Sequence, residues 1–428
     1  MPWVFWAFPR IQEVPYNARA MNLTGKERVR RAMMSGFQKG SELPDRVPVF
    51  CQLAVGHYFL RSGLDPFDIW LRSEGFAEAL VRLARRYRFD GILVNLPGRD
   101  PEIDRHVERI ERGEGEDRVL WKDGSQTVLP HDDNPYHVPA SGERPVPDLE
   151  SIDPEKLHYV EPWDVTSISY PYTWGFEAEP RRSSDFFPGH HSKTLEIALR
   201  KAGSDLSVHS EVFSPFSQLL ELLGYEKALL AIHDDPGKIH ACLERLTAGA
   251  IDLARRQGAC GPDALLISSA FAGAGFISRR HYEEFVLPYE RRLIRELRAS
   301  CPDLPVYTHT CGRIGDRLDL MLETGTLGID TLDPPPLGTV DLADAKRVLE
   351  GRAFIKGNLD PVNTLLRGTP EAVREAAAGR LRIGLPDGGY ILSSACSVPP
   401  ATPPRNLEVL AEVAAEEGRY PPDPESPS

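Results

Sequence analysis

A chain of 428 residues carries 50 Lys and Arg against 63 Asp and Glu, a formal charge of −13, with 41% hydrophobic and 26% charged residues. That composition is ordinary for a globular protein and excludes wholesale disorder and fibrous classes. The acidic balance argues against a mainly electrostatic nucleic-acid binder, and no run approaches the roughly 20 apolar residues that span a bilayer.

The opening MPWVFWAFPR is apolar but short. It lacks a basic stretch and a small-residue cleavage site, so residues 1–21 read as a loosely attached leader, not a signal peptide. The globular pattern starts at residue 22, where Thr24 can cap the helical run KERVRRAMMSGF. Eight β-rich runs follow: Val47–Phe50, Gly91–Asn95, Val208–Phe213, Leu265–Ser268, Val306–Thr310, Gly328–Leu332, Phe354–Gly357 and Tyr390–Ser394. Amphipathic helical segments separate most of them, among them 75–87, 236–255, 280–298 and 371–381. Gly325 ends one helix, and Thr369-Pro370-Glu371 opens another.

Strands alternating with helices predict parallel βαβ units, and eight of them predict a closed (β/α)8 TIM barrel over residues 22–415. No strand is followed by GxGxxG or GxxxxGK[ST], so no phosphate-binding fingerprint is present. Residues 97–207 are too long for an ordinary connection. They predict an insertion between strands 2 and 3, over the mouth, with a hairpin around Val119–Val128 that turns at Lys122-Asp123-Gly124. The Pro-rich end, 416–428, reads as a disordered tail. The six cysteines are sparse for this length, and with no signal peptide reduced thiols in the cytoplasm are expected.

The chemistry concentrates in VYTHTCGR. Residues two apart on a strand share a face, so Tyr307, His309 and Cys311 lie together. His309 and Cys311 fall at the C-terminal end of the strand, which in a barrel is the catalytic mouth. The eighth strand ends the same way, in Cys396. Two thiolates and an imidazole suit zinc, with a fourth tetrahedral position open. Glu211, ending the third strand, is the candidate fourth ligand. Asp330 is the candidate partner of the His309 imidazole, and Asn358 and Asp360 divide between substrate contact and helix capping. His190 and His191 read as surface residues, and HDD at 131–133 as a polar loop.

In order along the chain stand LTGKERVRRAM, LGYEKALLAIHDDP, SRRHYEEFVLPY, HTCGRI, GNLDP, LLRGTPEAV and SSACSVPPATPPRNL. From about residue 22 to 412 this succession resembles the uroporphyrinogen decarboxylase superfamily. The resemblance implies a (β/α)8 barrel independently of the strand count. One branch of that superfamily decarboxylates a porphyrinogen bearing eight carboxylates and carries an arginine-bearing RQAGRY after the first strand. Here the stretch reads CQLAVGHYF, with neither arginine, and His57 supplies at most partial charge.

The other branch comprises cobalamin-dependent methyltransferases with the motif His-x-Cys…Cys, matched by His309, Cys311 and Cys396. The resemblance therefore implies Zn2+, and methyl transfer between a corrinoid-binding partner protein and a small thiol or folate-type molecule. This chain has no D-x-H-x-x-G motif, so cobalamin has to arrive on the partner. Decarboxylation and a non-catalytic metal- or corrinoid-binding barrel stand as alternatives. Around the substrate the reading places His57, Tyr307, Asp330 and Asn358. It expects no nucleic acid and no membrane, and leaves a homodimer open.

Overall fold

The computed structural model describes residues 23–142, 146–161 and 186–421, together with the backbone of 175–176. The predicted leader, 1–21, lies outside them. In chain order the strands are β1 (Gly91–Val94), β2 (Val107–Arg112), β3 (Glu116–Trp121), β4 (Gln126–Pro130), β5 (Tyr136–Val138), β6 (Leu157–Tyr159), β7 (Gly175–Phe176), β8 (Ser207–Phe213), β9 (Ala264–Ser268), β10 (Val306–Thr310), β11 (Gly328–Thr331), β12 (Phe354–Leu359) and β13 (Tyr390–Ser394). Seven of them pair in parallel in the order β1-β8-β9-β10-β11-β12-β13. Nearly every residue on these seven is buried, because helices cover the outer face and the barrel interior fills the inner one.

The eighth wall is the segment predicted as the first strand, Val47–Phe50. It forms an isolated parallel bridge from Val49 to Leu392, not a regular strand. Pro48 has no N–H to give, so the ladder is interrupted there. Closure is still complete. Phe50 N–H donates to Leu392 O at 3.0 Å and Leu392 N–H to Pro48 O at 2.9 Å. On the other side Asp90 N–H donates to Val49 O at 2.7 Å, and the Asp90 carboxylate accepts from Val49 N–H at 2.8 Å. Arg28 and Arg46 hold that carboxylate in place.

The helix Gly25–Phe37 starts where expected, with Thr24 Oγ1 accepting from Glu27 N–H. Its Val29, Ala32 and Met33 pack with Phe50, Leu93, Leu266, Tyr307, Phe354 and Ile391. These side chains fill the barrel interior below the mouth.

The insertion carries more than the one predicted hairpin. β2 to β5 form a four-stranded antiparallel sheet, with β3 and β4 joined at the expected turn, where Gly124 has φ +86°. Charged outer positions conceal the alternation of β2 in the sequence. Asn134 Oδ1 accepts from Gly56 N–H and Arg112 pairs with Asp65, so this sheet docks on the helices that follow the first wall.

Of the predicted tail, residues 416–421 pack on the barrel. The last helix runs to Glu417, Arg419 bridges to Arg46, and Tyr420 is buried. Residues 422–428 lie outside the described ones. Among the described residues no helix is long and apolar enough to cross a membrane.

The helix Pro236–Ala259 passes against β6 at Gly249, where an added Cβ would lie 1.7 Å from His158 O. Gly249→Ala is therefore expected to destabilise the fold by about 1–3 kcal/mol, because backbone must move. Gly379 lies mid-helix with its nearest neighbour at 3.7 Å. Gly379→Ala should instead gain up to about 1 kcal/mol. Urea denaturation of the two variants measures the contrast.

Candidate metal centre

β10 delivers His309 to the mouth and stops at Thr310. Gly312, at φ +76°, then turns the chain. The turn is fixed on both sides: Cys311 N–H donates to Ala270 O at 3.3 Å, and Gly312 N–H to Asp333 Oδ2 at 2.6 Å. Cys396 follows β13, where Ala395 N–H donates to Leu359 O at 2.7 Å.

One ligand atom from each of His309, Cys311 and Cys396 falls within 4.8 Å of the others, and among the described residues no other group of three does so. His309 Nε2 lies 3.1 Å from Cys311 Sγ, which lies 3.6 Å from Cys396 Sγ. His309 is buried and both thiols are half-buried.

The three groups perturb one another. Burial alone would lower the His309 imidazole, but the Asp330 carboxylate and the Cys396 thiolate overcome it and raise it to about 10. The hydrogen bond from Cys311 and the neighbouring imidazole push the Cys396 thiol well down against burial. The Cys311 thiol is driven well up by its hydrogen bond to Cys396 and by burial.

Around the donors, His309 Nδ1 lies 3.3 Å from Asp330 Oδ2 and 2.6 Å from Thr331 Oγ1. Asp330 is itself bound by Lys356, whose Nζ lies 3.0 and 3.1 Å from its two oxygens. Both members of that pair are buried. Nδ1–H donating to Asp330 leaves the Nε2 lone pair for a metal.

Glu211 is not part of the three-residue group. Its Oε2 is buried and without a hydrogen-bond partner, and burial raises its carboxyl to about 7, with His309 pulling the other way. Asn358 is fully buried and donates Nδ2–H to Leu332 O at 2.9 Å. Asp360 caps the turn Pro361–Leu366, accepting from Val362 and Asn363 N–H.

Two predicted site residues are placed elsewhere. Tyr307 shares the face of His309 but lies one layer deeper, its OH 2.8 Å from His209 Nδ1. His57 sits on the helix Val55–Arg61, with Nδ1 at 2.9 Å from Pro400 O and Nε2 at 2.8 Å from Tyr87 OH. Both its ring nitrogens are used by protein, and burial lowers its pKa to about 4, so it supplies no charge to a substrate. His191, read as a surface residue, is buried, with Nε2 3.8 Å from Glu161 Oε2.

Sequence reasoning passed over Lys356 and Asp333. The signal for Lys356 was a cation inside the apolar run FIKGN, two residues before Asn358 and so on its face. For Asp333 it was the second acid of DTLDPPP. Burial raises Asp333 to about 6.

The donors fit zinc. Zn–S bonds of about 2.3 Å in a tetrahedron put two sulfurs about 3.8 Å apart. The observed sulfur separation is 3.6 Å. An imidazole oriented by a carboxylate and a hydrogen-bonded thiol pair, of which Cys396 is held low, suit the chemistry of such a site.

Comparison with known proteins agrees with the barrel and divides on the reaction. A methylated-thiol–coenzyme M methyltransferase of Methanosarcina mazei is 30% identical over 203 residues, 47% of this chain and 51% of the relative. A methylcobamide:CoM methyltransferase of Methanosarcina acetivorans is 28% identical over 222 residues, 52% and 62%. A uroporphyrinogen decarboxylase of Chlorobium phaeovibrioides is 32% identical over 190 residues, 43% and 50%. The chain spans about half the length of the curated relatives it matches.

A solved methyltransferase from Methanosarcina mazei superposes with a TM-score of 0.62 at 18% identity, covering 92% of this chain and 99% of that one, which shows a shared fold. Residues 179–417, from before β8 through the last helix, match the family model described as uroporphyrinogen decarboxylase (URO-D). With more than half its length in that match and the barrel to accompany it, the chain belongs to the uroporphyrinogen decarboxylase family.

Proposed function

We propose that this protein is a zinc-dependent methyltransferase that moves a methyl group between a corrinoid protein and a thiol or folate-type acceptor. The convergence of His309, Cys311 and Cys396 at the barrel mouth carries the reading. Relatives named as coenzyme M methyltransferases support it. Zinc held there supplies an open position at which a thiol is kept deprotonated and nucleophilic.

The chain's own residues do the rest. Asp330 accepts the Nδ1 proton and fixes the ring, and Lys356 balances the carboxylate. Glu211, buried within the electrostatic reach of His309 and raised by burial to about 7, takes the proton an incoming thiol gives up. Cys311 and Cys396 would hold such an ion as thiolates and offset its charge, which would keep a thiol bound there electron-rich. All six cysteines are free thiols, which fits a reducing cytoplasm.

Decarboxylation of an octacarboxylate is disfavoured by the same walls. Lys356 is the only Lys or Arg on the seven barrel strands, and Asp330 already occupies it.

The test is the visible spectrum of methylcobalamin mixed with the zinc-loaded protein and a thiol or tetrahydrofolate. Loss of the methylcobalamin band should require zinc and stop on chelation. An unchanged spectrum with every acceptor, together with CO2 release from uroporphyrinogen, would assign the chain to the decarboxylases.

A further inference from the structure

The end of β11 breaks the alternation of a strand. Neighbours along a strand face opposite sides, so Thr331 should point away from the face that Asp330 takes. Yet both reach the His309 ring, Asp330 Oδ2 at 3.3 Å and Thr331 Oγ1 at 2.6 Å from Nδ1. Thr331 Oγ1 also lies 3.4 Å from Nε2, so the hydroxyl stands beside the ring with Nδ1 the nearer nitrogen. The backbone explains the double contact. Thr331 has φ +84° and Leu332 φ +52°. Positive φ is costly outside glycine, most of all for a β-branched residue. Among the described residues four non-glycine residues take it, and Thr331 and Leu332 are the two that are consecutive.

The surroundings enforce this turn. Thr331 N–H donates to Asp330 Oδ1 at 2.9 Å, and Leu332 O accepts from Asn358 Nδ2–H at 2.9 Å. Thr331 is the register partner of Gly357, where an added Cβ would lie 2.7 Å from Thr331 O. The facing strand therefore makes room by lacking a side chain there. Both turn residues are fully buried. Strain of this kind persists where the surrounding structure over-determines it, and it gathers at functional sites.

We propose that Thr331 is a positioning residue of the metal centre, its hydroxyl set against the His309 imidazole by the left-handed turn at 331–332 as a second anchor beside Asp330. A single acceptor at 3.3 Å leaves the ring free to rock about that contact. With Nδ1–H shared between a carboxylate and a hydroxyl, the ring is held on two sides and the Nε2 lone pair keeps its aim. The inference rests on reading His309 as a metal donor, and not on methyl transfer.

Zinc affinity is measured by competition with a chromophoric chelator for the full-length wild type, Thr331→Val, Thr331→Ser and Thr331→Gly. Urea midpoints of the metal-free proteins are taken alongside. Thr331→Val keeps the shape and loses the hydroxyl, and it should bind zinc about 10- to 100-fold more weakly. Thr331→Ser returns the hydroxyl and should stay within about threefold of wild type. Thr331→Gly removes hydroxyl and strain together and should lose zinc affinity as Thr331→Val does. Thr331→Val within about threefold of wild type overturns the inference, and so does Thr331→Ser as weak as Thr331→Val. Zinc loss that follows the urea midpoint instead of the hydroxyl also overturns it. A wild-type chain that binds no zinc ends the metal reading and this one with it. A wild type that binds zinc beside variants that bind it equally ends this one alone.

Discussion

Purified reduced and exposed to zinc, the wild-type chain is expected to hold about one ion, and Cys311→Ala and Cys396→Ala less than about a tenth of that. Zinc binding at a protein site is worth on the order of 10–16 kcal/mol. Shared over three donors, the loss of one thiolate costs roughly 3–5 kcal/mol, about 10²- to 10³-fold or more in affinity. No neighbouring sulfur can replace the lost ligand. Cys51 is buried against Ser394 N–H, and Cys242 lies in the core of the long outer helix.

His309→Ala should behave like the thiol variants. Cys242→Ala, which removes a thiol remote from the centre, should keep its zinc. Metal analysis by mass spectrometry after gel filtration decides. A wild-type chain that takes up no zinc would end the thiol-activation mechanism.

Breaking the Asp330–Lys356 pair should have the largest effect on stability. Both side chains are buried, and the pair carries two contacts near 3.0 Å. Lys356→Met leaves a carboxylate in the barrel with only the His309 imidazole and the Thr331 N–H for company. Stranding one member of a buried pair costs about 3–5 kcal/mol. The double variant Asp330→Leu/Lys356→Met should recover most of that loss, because no charge is then left alone.

The pH dependence has a definite sign. Burial would raise the Asp330 carboxyl, but Lys356 and His309 overcome it and hold the group below its ordinary value of 3.8. A lowered carboxyl stabilises the fold above its unfolded pKa, and the gain is lost as pH falls through the folded value. The contribution is therefore full at neutral pH and fades below about pH 4. Urea midpoints of wild type, Lys356→Met and the double variant at pH 7 test the pair. Equal midpoints for wild type and Lys356→Met would show that the pair contributes nothing.

The barrel was legible because a strand buried on both faces has to be written as a short apolar run. Val306–Thr310 and Tyr390–Ser394 were read to the residue for that reason. The segment Val47–Phe50 reads the same way, yet forms only a bridge, since Pro48 withholds a donor that apolarity does not report. The insertion was harder. β2 is exposed along most of its length, so little hydrophobic alternation marks it.

The grouping of His309, Cys311 and Cys396 was readable for a local reason. His309 and Cys311 share a strand end, and Cys396 ends a second strand of the same barrel. Parity along a strand states which face a residue takes but not how deep it lies. Tyr307 and His309 share a face, yet one belongs to the packed interior and the other to the mouth. His57 was misplaced because its helix turns it toward Tyr87.

What the residues determined alone was the period of the fold and which three side chains, His309, Cys311 and Cys396, end strands at the same mouth. What only the tertiary structure decided was lateral pairing. Asp330 stands opposite Lys356 and Asn358 opposite Ser393 through the register of β11, β12 and β13. Those partners are 26 and 35 residues apart in the chain, and hydrogen bonding between neighbouring strands, not local sequence, brings them together.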